Sequence, residues 1–174
     1  TVLLITFFLT VIFDLTVAIE VGLVIACVLF MKRVMETTEI SVITDEIDPN
    51  KESDITVHEE NLMIPKGIEV YEINGPYFFG IATKFEETMT QLGDRPKVRI
   101  IRMRKVPFID STGIHNLTAL CEMSQKEKTT IILSGVNENV HNVLEKAGFY
   151  ELLGKENICP NINVALERAK SLVK

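Results

Sequence analysis

The sequence has no tryptophan, three cysteines and three histidines among 174 residues. Cys27, Cys121 and Cys159 lack any CxxC spacing, which argues against a disulfide framework and against a cysteine zinc site. Such a cysteine set fits a reducing, cytoplasmic environment, with Cys27 acting as a small buried hydrophobe. His58, His115 and His141 are far apart and show no ligand spacing. No glycine-rich phosphate loop and no nucleophile–base pair is present, so nothing supports an enzyme, a cofactor or a metal.

Basic charge is missing from one whole segment. Residues 1–31 contain no Lys or Arg, and their only charges are Asp14 and Glu20. All eighteen basic residues follow, so the hydrophobic excess of the chain is concentrated at its start. The segments 1–13 and 21–31 are apolar all round, as expected in lipid rather than on the face of a soluble helix. The run begins at Thr1 without a charged n-region or a small-residue cleavage site. It does not read as a signal peptide, and further residues are expected upstream. As one straight helix, 1–31 would reach about 46 Å, against a hydrocarbon core of about 30 Å. The economical arrangement breaks the run near 14–20, giving two short helices with both acids at the connection. Lys32 and Arg33 follow at once and predict that the remainder lies in the cytoplasm.

Between Glu36 and Glu60 stand nine acidic residues and one lysine, Lys51. This stretch reads as an acidic tether, loosest at IDPNKESD, with 55–65 able to add a short edge strand. The expected division is 1–31 membrane, 32–60 linker and 61–174 soluble domain.

In the soluble part, strands are predicted at 69–73, 97–103 and 129–134, with a buried apolar run at 77–81. Helices are predicted at 82–92, 113–126, 138–147 and 163–173. Gly93 and Gly148 stop two of them. The alternation implies an α/β fold with a mostly parallel or mixed sheet. The loop 106–113 follows a strand end, where ligands and partners dock in such folds. Within it, Asp110, Ser111, Thr112 and Gly113 are suited to cap a helix and turn the chain tightly. Arg95, Lys97, Arg99, Arg102, Arg104 and Lys105 form a basic stretch. It is either the solvated face of one strand or a docking surface for phosphate headgroups, a nucleotide or an acidic protein. No aromatic interleaving accompanies it, so nucleic acid is not supported.

Four stretches in order carry a family resemblance: FDLTVAIEVGLVIACVLFMKR (13–33), NGPYFFG (74–80), RIIRMRKVPFIDSTGI (99–114) and LSGVNENVHNVLEKAGF (133–149). Together they resemble the C-terminal end of a SulP-type anion permease, its last membrane helices followed by a STAS domain. The resemblance implies a small mixed STAS sheet with helices packed on it, preceded by a short transmembrane hairpin. It also implies a homodimeric, secondary-active carrier of sulfate- or bicarbonate-like anions in a bacterial inner membrane, with the STAS domain regulating transport from the cytoplasmic face. The anion site would lie upstream of residue 1. In anti-sigma factor antagonists, the other large STAS group, the serine after the aspartate is phosphorylated, and Ser111 matches it; many permease STAS domains carry alanine there. The alternative is therefore a free-standing STAS signalling protein of that second kind. A purely structural dimerisation module is a third.

Overall fold

The computed structural model describes residues 2–37, 39–43, 46–47, 62–78 and 96–173. They fall into two compact units, Thr1–Thr37 and Thr38–Lys174.

The first unit is a helical hairpin of α1 (Val2–Ile12) and α2 (Leu15–Thr37). The break is narrower than expected, at Phe13 and Asp14 alone. Asp14 Oδ1 accepts the Leu15 N–H at 2.6 Å, and the Asp14 carbonyl accepts from Ala18 at 3.0 Å, opening α2. The expectation of two short helices with both acids at the connection therefore needs correcting. Glu20 lies inside α2, which has 23 residues and a length of about 34 Å. The cause is local: no Gly or Pro stands between Asp14 and Glu20, and a capped helix propagates at little cost. Helix α1, with 11 residues, covers only about 16 Å. Its two threonines return their hydroxyl bonds to their own helix, Thr6 to Leu3 O and Thr10 to Thr6 O. The helices meet where α2 has least side chain. Ala18 is buried, and a Cβ on Gly22 would lie 2.4 Å from Thr6 Cγ2.

The second unit is a five-stranded sheet in the order β1-β4-β5-β6-β7. The strands are β1 (Glu39–Ile43), β4 (Ile68–Asn74), β5 (Val98–Lys105), β6 (Thr130–Ser134) and β7 (Ile158–Cys159). β1 runs antiparallel to β4, and the other neighbours are parallel. β2 (Glu46–Ile47) and β3 (Leu62–Met63) pair separately. An edge strand of this sheet comes from 39–43, inside the stretch read as tether; of 55–65, residues 55–61 lie outside the described residues and Leu62–Met63 form β3. ISVI gives it that role, placing Ile40 and Val42 against one core and Ile43 against the other. Residues 48–61, and with them most of IDPNKESD, lie outside the described residues, as does the predicted helix 82–92.

Side-chain alternation sends Ile101 and Met103 of β5 to one face and Val98 and Ile100 to the other. On the first face pack α3 (Ser111–Lys126), α4 (Glu138–Lys146) and α5 (Phe149–Leu153), through Leu117, Leu120, Leu144 and Phe149. On the second packs α6 (Ile162–Val173), through Ile162, Ala165, Leu166 and Ala169 at i, i+3, i+4 and i+7. β7, α5 and the 3₁₀ turn Lys155–Asn157 are too short to leave a periodic signal, and sequence reading misses them.

Candidate functional site

The loop between β5 and α3 is built around three backbone demands. Asp110 is the N-cap of α3, in extended conformation, and its Oδ1 accepts the Gly113 N–H at 2.6 Å. Its carbonyl accepts from Ile114 at 3.0 Å, so the first turn closes on it from both sides. Gly113 is required by contact: a Cβ there would lie 2.4 Å from the Tyr77 carbonyl oxygen and 2.9 Å from Ile109 Cγ1. Tyr77 is the third element. It forms a parallel bridge with Ile109, donates its N–H to Phe108 O at 3.0 Å, and accepts from Asp110 N at 3.4 Å. The NGPYF and FIDSTG stretches, far apart in sequence, are clasped together at the carboxyl edge of the sheet.

Around this clasp, Ser111 and Thr112 are exposed at the first two positions of α3, whose first turn holds no acid. Phe108, three positions before Ser111, is 52% exposed. Asn137 ties in the neighbouring loop. Its Oδ1 caps α4 through Val140 N at 2.9 Å, while its Nδ2 donates to the Val106 carbonyl. The four consecutive residues Asp110, Ser111, Thr112 and Gly113 lie in this one turn, which Asp110 caps; Tyr77 and Asn137 are supports that sequence reading did not single out. The N-cap preference of Asn before ENVHNVL was a usable signal for the second. Nothing local marks the first, which acts through its backbone.

The basic stretch does not form one surface. Arg99 and Arg102, expected on a solvated face or a docking surface, are 4% and 6% exposed. β5 is the middle strand and both its faces are covered, so its charges survive only because β4 supplies partners in register. Glu69 pairs across from Arg99 and Glu72 across from Arg102. Arg99 Nε lies 3.5 Å from Glu69 Oε2, its Nη1 donates to Ser124 Oγ at 3.4 Å, and its guanidinium lies over the Tyr71 ring at 5.7 Å. The Tyr71 hydroxyl donates to the same Glu69 oxygen at 2.8 Å. Burial first, then that carboxylate, push the phenol well above its ordinary pKa. On the opposite face Arg102 Nη1 sits 3.3 Å from Glu72 Oε1 without hydrogen-bond alignment. Lys97 and Lys105 are exposed, but at opposite ends of β5, about 26 Å apart at ~3.3 Å per residue. Lys97 Nζ donates to the Val173 carbonyl at 3.2 Å. Arg104 is half-buried, and Arg95 lies outside the described residues.

Burial raises the thiols, Cys121 to about 12 and Cys159 in the same direction, which makes both poor nucleophiles. Among the described residues no group of His, Cys, Asp or Glu could hold a metal. What remains is a capped strand-to-helix loop presenting two hydroxyls and one aromatic ring.

The family model for the STAS domain matches residues 61–165, and the chain belongs to this family, in the form carried by SulP sulfate transporters. A sulfate transporter family protein from Wolinella succinogenes is 44% identical and superimposes with a TM-score of 0.61, covering 64% of this chain and 92% of that one. The candidate sulfate transporter YvdB of Bacillus subtilis is 28% identical over 153 residues, which are 87% of this chain. The chain spans only 27% of the length of that relative. The fold of the murine anion transporter Slc26a9, 20% identical, matches over 98% of this chain and 28% of its own length with a TM-score of 0.73. A candidate anti-sigma factor antagonist from Thermotoga maritima shares the fold at 17% identity and a TM-score of 0.55, covering 62% of this chain and 91% of that one.

Proposed function

We propose that the chain is the C-terminal part of a SulP anion carrier of the sulfate or bicarbonate type. In this reading, residues 1–31 close the membrane transport domain, 32–37 lead out of it, and the unit from 38 onward, with its edge strand at 39–43, is a STAS domain that regulates flux in a homodimer. The observation that carries the reading is the joining of an apolar hairpin, ending in Lys32 and Arg33, to a STAS sheet on one chain. Helix α2 is long and apolar enough to cross a bilayer, and the basic pair closing its apolar stretch supports a cytoplasmic soluble part at a bacterial inner membrane.

The regulatory input is Ser111. A phosphate there would add about two negative charges at the N-terminus of a 16-residue helix, three positions after the exposed Phe108. It would change which partner the loop tolerates without disturbing the Asp110 cap. The alternative, a free-standing switch of the anti-sigma-antagonist kind, draws on the shared fold alone and leaves the hairpin without a role.

The test is labelled-sulfate uptake by cells lacking their own sulfate carrier and expressing the full-length gene product. Uptake above background, altered in opposite senses by Ser111→Ala and Ser111→Glu at equal membrane abundance, is expected. A full-length product that stays in the soluble fraction would refute the carrier reading. Equal uptake by both Ser111 variants would remove the regulatory role from this loop.

A further inference from the structure

Glu20 is the one charge in α2 before Lys32, and it is exposed on the hairpin. Lys32 lies twelve positions further on, about 18 Å along the helix. With Lys32 at one edge of a hydrocarbon core of about 30 Å, Glu20 lies about 12 Å inside the other edge. Asp14 falls close to that second boundary, where a carboxylate reaches water; Glu20 does not. Its direction is equally defined. Ala18, Gly22 and Ile25 are the covered positions among the described side chains of α2, with Gly22 against Thr6 of α1. At 100° per residue Glu20 points about 140–160° away from them. Helix α1 therefore offers it nothing, and the α1 hydroxyls are already engaged with their own helix.

A carboxylate at this depth is among the costliest groups to leave against lipid, and intramembrane charges are found paired and facing the protein interior. Resting on the reading above that α2 closes a transport domain, we infer that the Glu20 face of α2 docks against the preceding membrane segments. There its carboxylate pairs with the Arg or Lys side chain of one of them. The pair makes Glu20 a positioning residue that fixes the rotation of α2. The relatives leave room for such a partner, since the chain spans 27% of YvdB.

The experiment uses the full-length protein in detergent, reading membrane recovery and apparent melting temperature rather than transport. Glu20→Gln and Glu20→Leu are each expected to lower the melting temperature by about 3 °C or more. Replacing one particular upstream Arg or Lys by Gln should do the same, and combining it with Glu20→Gln should add under about 1 °C. A Glu20→Leu protein as stable as wild type, or additive losses for every upstream cation, overturns the pairing and leaves the carrier reading standing. Wild-type protein recovered only in the soluble fraction overturns both.

Discussion

Replacing Arg102 by methionine tests whether the central strand tolerates charge only through its partner. Arg102 and Glu72 are 6% and 7% exposed and lie 3.3 Å apart. At an effective dielectric of 20, that separation corresponds to an attraction of about 5 kcal/mol. Withdrawing each ion from water costs several kcal/mol, so the intact pair contributes close to nothing net. The arithmetic changes when one partner goes. Arg102→Met strands a buried carboxylate and should destabilise the STAS unit by about 3–5 kcal/mol. With a urea slope of about 1.5 kcal/mol/M, the unfolding midpoint should fall by about 2–3 M. Exchanging both residues, Glu72→Leu with Arg102→Met, should bring the midpoint back to within about 1 M of wild type. The assay is urea unfolding of residues 38–174 followed by far-UV circular dichroism. If the double variant loses as much as the two single variants added together, the two charges do not compensate each other and the reasoning fails.

Three further outcomes follow from the same geometry. Gly113→Ala should cost about 1–3 kcal/mol, because its Cβ meets the backbone oxygen of Tyr77, which cannot swing aside as a side chain would; a melting temperature within 1 °C of wild type would contradict this. Lys128 occupies the left-handed C′ position of α3 at φ 62°, with Lys128 N bonded to Gln125 O and Thr129 N to Ser124 O, so Lys128→Gly should stabilise by about 1 kcal/mol in the same urea titration. Cys121 is held protonated in the fold, from an ordinary 9.0 up to about 12, so the unfolded chain releases that proton first. Stability from this group is therefore complete below pH 9 and is lost as pH rises towards 12, by an amount on the order of 4 kcal/mol. Tyr71, raised in the same direction, steepens the fall above pH 10. Cys121→Ala should flatten the alkaline limb between pH 9 and 10, and an unchanged slope there would count against the burial argument.

Much was legible from residues alone because the signals were local. The apolar start, the basic pair closing it, the strand at 69–73, the helices near 113–126, 138–147 and 163–173, and the capping role of Asp110 each depend on neighbours within a few positions. Periodicity and cap chemistry are written at that range. Long-range partners decided the rest. Arg99 and Arg102 look solvated in a list of residues and are buried in fact, because Glu69 and Glu72 arrive opposite them when β4 and β5 pair in register. The 39–43 stretch looks like tether until β4 offers it an edge. Gly113 reads as a flexible turn, yet its necessity comes from the carbonyl of Tyr77, 36 positions away. Sequence by itself determined the longer helices near 113–126, 138–147 and 163–173, the strands near 69–73, 97–103 and 129–134, the membrane-apolar start and the loop that would be capped. Only the tertiary structure decided which charges are paired inside and which remain for a partner, since burial belongs to the packing of distant segments and not to any one of them.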